Sequence, residues 1–156
     1  LKLHADEEKL DKDFKELHEK YFKIYDCIKC RNCCKKLGIS IRYDELDKLN
    51  LTSQQLLDLK EEYGNYINKE DGCPFLNDNN KCTLKGYLPN SCREYPYTNK
   101  PERLESLYTI MDNTFICPAV YEIVEELKKK YNFKKVRWSK NEYVKTFKRD
   151  KQECSV

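Results

Sequence analysis

Apolar residues recur at helical spacing near the start of the chain. Leu10, Phe14, Leu17, Tyr21 and Ile24 share one face of residues 6–25, and charged residues fill the other, as on a surface helix. Ile39 and Ile41 then alternate with polar neighbours, the period of a short strand, and Tyr43 to Leu49 reads as a turn of helix. A second helix is expected from Thr52, with Gln55 three positions on to close a capping box, stopping at Gly64. Residues 73–84 place two short apolar pieces around an Asn-Asp-Asn-Asn turn, a hairpin-like unit. Prolines bracket Leu88-Pro89 to Tyr95-Pro96, which fits one short turn or 3₁₀ stretch. Leu104 to Phe115 reads as a strand. A helix from Pro118, a residue suited to the first helical position, runs to about Lys130.

These elements predict an α+β fold: one small domain, mostly helical with short strands. Composition adds that it is short of core. Of the 39% hydrophobic residues in the 156-residue chain, 12 are Tyr and 9 are Cys. Chains so thin in apolar side chains need another source of stability. No apolar run is long enough for a membrane span, and the N-terminus has no secretory leader pattern, so a cytoplasmic protein without a membrane partner is expected. In a reducing compartment nine cysteines point to metal ligation or redox chemistry rather than disulfides. Charge is uneven as well. Residues 1–127 carry a net −5 and residues 128–156 a net +8, which divides the chain into a cysteine-bearing domain (1–127) and a basic C-terminal extension (128–156) packed on or appended to it.

The chemistry is concentrated in Cys27-Ile-Lys-Cys30-Arg-Asn-Cys33-Cys34. Lys, Arg and Asn between the thiols do not enter cores, so ordinary packing does not explain the octet. A two-residue spacer brings two thiolates to one metal, and three cysteines at successive two-residue spacings wrap a [4Fe–4S] cube in bacterial ferredoxins. Vicinal Cys33 and Cys34 point apart, which suits two sites or one polynuclear cluster. Cys73-Pro74, Cys82, Cys92 and Cys117-Pro118 bring the candidate ligands to eight, enough for two four-ligand sites. One division groups Cys27, Cys30 and Cys33 with Cys117, and Cys34 with Cys73, Cys82 and Cys92. Cys154 reads as a free thiol, and His18 as a solvated helix residue outside the ligand set.

These residues resemble the YkgJ-like cysteine-cluster family of zinc- or iron-chelating domains. Its C-x2-C-x2-C-C signature stands unbroken as Cys27 to Cys34, followed by Cys73-Pro74-Phe75-Leu76, Cys82, and Pro89 ahead of Ser91-Cys92-Arg93-Glu94-Tyr95-Pro96. The resemblance covers about residues 24–120. Leu88-Pro89 stands where relatives carry Arg-Pro. The flagellin lysine methylases look like relatives with a similar cluster, which offers an enzymatic precedent, while the chain's own catalytic status stays open.

Two functions follow. The first is an iron–sulfur protein, with one or two [4Fe–4S]-type clusters in a redox, electron-transfer or methyl-transfer-supporting role beside an unidentified partner. Lys29, Arg31, Lys35 and Lys36 would offset the charge of such a cluster. The second is a structural zinc module whose basic tail contacts a protein or nucleic acid. We rank iron–sulfur first, because the paired C-x2-C spacing of double zinc knuckles occurs at one end of the sequence only. The tail interleaves its lysines with Tyr131, Phe133, Trp138, Tyr143 and Phe147, as nucleic-acid binders do. Packing of Tyr143, Val144 and Phe147 on the domain is the preferred reading. Four glycines leave no room for a phosphate-cradling loop.

Overall fold

A computed structural model describes residues 2–63, 72–84 and 86–133 of the chain. In order these form α1 (Lys2–Tyr21), α2 (Cys27–Cys30), α3 (Asn32–Lys36), α4 (Tyr43–Leu46), α5 (Ser53–Tyr63), α6 (Asn90–Glu94), α7 (Leu107–Asn113) and α8 (Pro118–Lys130). The chain divides into two compact units. The first comprises residues 1–30 and 96–156, the second residues 31–95.

The first unit is built on α1, α7 and α8. Val120, Ile123, Val124 and Leu127 recur at helical spacing along α8 and bury against Phe14 of α1 and Ile110 of α7. Leu10, Leu17 and Tyr21 pack on the edge of that cluster, as the periodicity of the first segment predicts. Ile24, the last member of the predicted stripe, lies beyond the helix and is exposed. Polar contacts set α1 and α8 antiparallel: Lys20 meets Glu126 at 2.5 Å, and Asp13 accepts from Lys130 at 2.6 Å and from the Tyr131 hydroxyl at 2.9 Å. Asp13 is buried, which alone would raise its carboxyl, but the bonds from Lys130 and Tyr131 outweigh burial and hold it below its ordinary value. Loop residues 97–106 are tied to α1 in turn. The Asp11 carboxylate accepts the backbone N–H groups of Glu102 and Arg103, each at 2.8 Å. His18 is not the solvated residue predicted: its ring stacks on Phe22, and Nδ1 lies 2.8 Å from the Thr98 hydroxyl.

The second unit gathers a smaller core from Ile39, Ile41, Leu46, Leu49 and Phe75. Its one longer helix, α5, starts as predicted. Gln55 Oε1 accepts the Thr52 backbone N–H at 2.9 Å, and the Thr52 hydroxyl accepts the Gln55 N–H at 3.3 Å. Thr52→Ala removes one arm of this box and is expected to lower stability by about 1 kcal/mol, read as a shift of the urea midpoint at constant slope. The predicted stop, Gly64, lies outside the described residues.

The α+β expectation is overturned. Among the described residues the structure is helical, with no strand and no sheet. Ile39 and Ile41 are buried as their alternation implies, but the backbone forms an isolated bridge at Ile41 rather than a strand. Leu104–Phe115 is not a strand. Leu107, Ile110, Met111 and Thr114 also satisfy helical spacing, and burial of Ile110 against α8 settles that ambiguity as α7. The hairpin of residues 73–84 contracts to an isolated antiparallel bridge between Leu76 and Cys82. The Asn77 side chain replaces a longer ladder by accepting the N–H groups of Asn79 and Lys81 at 3.1 and 2.8 Å.

Among the described residues no helix is long and apolar enough to cross a membrane. The expected boundary at 127/128 falls within α8, and residues 134–156 lie outside the described residues.

Candidate metal centre

Five of the predicted ligands belong to the second unit: Cys33 and Cys34 on α3, Cys73 and Cys82 on the contracted hairpin, and Cys92 on α6. Separate contacts place each piece. The Cys73 N–H donates to the Cys34 carbonyl at 2.8 Å, bringing the hairpin's first strand-like piece onto the end of the octet. Gly72 makes that approach possible. It sits at φ +100°, and a Cβ there would stand 2.9 Å from the Lys35 carbonyl oxygen and 3.3 Å from that of Cys34. The Leu76–Cys82 bridge folds Cys82 back toward Cys73.

Helix α6 is anchored through residues the sequence reading did not single out. Glu45 is buried, and its Oε1 accepts the Asn90 backbone N–H at 2.8 Å and the Tyr87 hydroxyl at 3.0 Å. Its Oε2 accepts the Arg42 backbone N–H at 3.2 Å. Burial alone would raise this carboxyl, but the Asn90, Arg42 and Tyr87 bonds outweigh it and the group is lowered. The Ser91 hydroxyl then donates to the Ser40 carbonyl at 2.6 Å. Cys92 follows directly. A glutamate within an acidic and basic surface pattern carries no sequence signal for such a role. Gly72, one of only four glycines and immediately before Cys73-Pro74, does carry one.

The thiols of this unit act on one another electrostatically. Cys73 is pushed up to about 11, first by burial and then by the neighbouring Cys34 and Cys82, despite N–H bonds from Phe75 and Leu76. Although much of Cys92 faces solvent, desolvation and the charges of Cys73, Cys34 and Cys82 raise it to about 11 as well. Cys34 goes the other way. A hydrogen bond from the Cys33 thiol, helped by the Arg31 guanidinium, lowers it to about 6. One ready thiolate, Cys34, therefore stands near Cys73 and Cys92, which burial and neighbouring thiolate charge hold neutral. Such a set suits a bound cation.

Two further observations fit an anionic metal–thiolate group. Arg31 Nε and Asn32 Nδ2 are buried and have no hydrogen-bond partner among the described residues. Both lie in the octet beside Cys33 and Cys34, with Arg31 in the left-handed region at φ 54°. Buried donors without acceptors are costly, and N–H groups aimed at cluster sulfurs are a known device for tuning such centres. The donor set therefore fits a thiophilic metal. Among the described residues no three Cys, His, Asp or Glu side chains form a ready single-ion site, so the thiols would close up around what they bind.

In the first unit, Cys117 caps α8. Its side chain makes no cap hydrogen bond; burial raises the thiol to about 11, and the charge of Cys27 adds to the rise. Cys27 opens α2 and Cys30 closes it. Cys30 is disulfide-bonded, so it must be reduced before it can ligate. The other seven predicted ligands stand as thiols. Cys33 belongs to the second unit, and Cys154 lies outside the described residues.

The raised thiols make a pH prediction. At neutral pH Cys73, Cys92 and Cys117 hold their protons, so each that binds a metal must release one, while Cys34 releases almost none. Calorimetric titration with zinc in buffers of different ionisation enthalpy is expected to show this proton release, with apparent affinity rising with pH. The sign reverses for the metal-free fold. Cys73, Cys92 and Cys117 bind protons more tightly there than in the unfolded chain, so their contribution to its stability falls as pH rises from about 8.5 toward about 11.

No curated protein and no solved structure matches the chain. A family model does match, over residues 26–121, described as "CxxCxxCC: Putative zinc- or iron-chelating domain". The match takes in the whole octet together with Cys73, Cys82, Cys92 and Cys117, and spans more than half of the chain. The cysteine framework described above thus belongs to a metal-chelating domain, and the chain is a member of the CxxCxxCC family.

Proposed function

We propose that the metal is iron, held as one or two iron–sulfur clusters, and that the protein serves a redox, electron-transfer or methyl-transfer-supporting role. Cys34, Cys73, Cys82 and Cys92 are the proposed ligands within the second unit. Cys27, Cys30 and Cys117 in the first unit, and Cys33 in the second, are kept as further ligands. The observation that carries the reading is the pair of unpartnered buried donors, Arg31 Nε and Asn32 Nδ2, beside a three-cysteine wrap. A sulfide-bearing cluster offers more acceptors to such donors than four thiolates on one ion. When bound, an iron–sulfur cluster supplies one-electron chemistry.

The chain's own residues supply the surroundings. The Lys29, Arg31, Lys35 and Lys36 charges offset thiolate charge and favour the reduced state. Glu45 holds α6, and Gly72 lets the hairpin close on Cys34. Anaerobic purification followed by metal and sulfide analysis is the test. Several irons per chain with matching acid-labile sulfide and a broad visible band are expected. A colourless protein with about two zinc ions, one for each four-thiolate set, would establish the structural zinc module instead.

A further inference from the structure

We propose that residues 134–156 dock their aromatic side chains into an apolar groove of the first unit, making the basic extension an intramolecular cover. The groove lies among α1, α7 and α8 and encloses about 470 Å³. Leu10, Phe14, Leu107, Met111, Val124 and Leu127 line it. Leu104 and Met111 on its wall are exposed, as is Phe133 at 73%. A contiguous apolar surface of this kind marks a contact site rather than ordinary scatter.

Three features select this occupant. The first is where the chain leaves α8. The Phe133 N–H bonds to the Lys128 carbonyl at 2.9 Å and the Asn132 N–H to that of Lys129 at 3.2 Å, with Asn132 left-handed at φ 51°. This Schellman termination turns the chain back and sets Phe133 on the groove wall. The second is charge. Asp6 and Glu7 stand on the rim, and an adjoining cleft that shares Glu7 and Leu104 adds Glu8, Glu102 and Glu105. Residues 134–156 carry eight basic and three acidic side chains. The third is the spacing of apolar residues on the segment: Val136, Trp138, Tyr143, Val144 and Phe147 are interleaved with its lysines. Trp138 is five residues beyond Phe133, a tether of at most ~17 Å, which keeps its indole at high effective concentration beside the groove. Aromatic bodies in the groove and ammonium groups over the acidic rim satisfy both surfaces together.

Trp138 is the sole tryptophan, so the intact chain reports on its own segment. With metal loading held constant, its emission is expected to be blue-shifted and shielded from acrylamide. Leu104→Arg and Met111→Arg, both at exposed positions, are expected to shift the emission toward that of indole in water and to raise quenching, with helical circular dichroism retained. A variant that loses its helical signal is replaced by Met111→Gln, read the same way. An indole already open to acrylamide in the parent chain overturns the proposal. So does an indole that is shielded but indifferent to these substitutions. Shielding that appears only as protein concentration rises, which would assign the groove to a second copy, overturns it too, as does shielding that appears only on adding RNA or DNA.

Discussion

Cys73→Ser is expected to yield a chain with about half the metal of the parent and a second unit that no longer holds its fold. Cys34→Ser should behave alike. The expectation follows from how little else holds residues 31–95 together. Among the described residues their buried apolar set is Ile39, Ile41, Leu46, Leu49 and Phe75, and so few side chains do not offset the ordering of a segment of that size. Metal ligation to thiolates supplies about 10–16 kcal/mol in small zinc domains, as large as the whole stability of an ordinary domain. The first unit has its own cluster on α1, α7 and α8 and should keep it. Peptide-resolved hydrogen exchange with metal analysis checks both parts. Amides of residues 31–95 should lose protection in Cys73→Ser while those of α1 and α8 retain it. Lys81→Ala, on the exposed turn of the same hairpin, is the control and should leave metal content unchanged. Full metal content in Cys73→Ser would remove Cys73 from the ligand set.

The family and its cysteine framework were legible in the sequence because thiol chemistry does not depend on backbone geometry. Four cysteines separated by Lys, Arg and Asn have few other uses, and the family match covers the octet and the four downstream positions. The long helices were legible for a related reason. In α8, Pro118 at the start and apolar residues at 120, 123, 124 and 127 agree with one another, and no neighbour has to be known. The Thr52–Gln55 box is equally local.

What failed was short and contextual. Leu104–Phe115 fits two periods, and only its packing on α8 chooses the helix. A strand also needs a partner, which no single segment declares. Residues 39–41 and 73–84 have the alternation without the ladder. His18 looked solvated because its partner, Thr98, is eighty residues away. The supports of the centre were missed on similar grounds. Glu45 acts on its near neighbour Arg42 and on residues 87 and 90, which only the fold brings to it.

Glu45→Ala is therefore expected to disturb the centre without touching a ligand. The substitution leaves the Arg42 and Asn90 N–H groups and the Tyr87 hydroxyl without their acceptor in a buried place. Each orphaned donor costs about 1–3 kcal/mol, and relaxation toward solvent reduces the sum, so a loss of about 3–5 kcal/mol is expected. Glu45→Gln keeps one acceptor oxygen and should lose about half as much. Because Asn90 opens α6, the loss should reach Cys92 as weaker metal retention against a chelator, in step with the fall in stability. Acid should imitate the substitution. The Glu45 carboxyl is lowered in the folded state, so its contribution is complete above the ordinary glutamate value near 4.3 and declines as pH falls through the lower folded value. Glu45→Gln removes that titration, so its stability should vary less with pH in this range than that of the parent. Denaturation of metal-loaded parent and Glu45→Gln chains across the acid range, with chelator competition at neutral pH for Glu45→Ala, checks the two parts separately. Unchanged metal retention in a destabilised Glu45→Ala chain would mean that α6 keeps Cys92 in place by the Ser91–Ser40 bond alone.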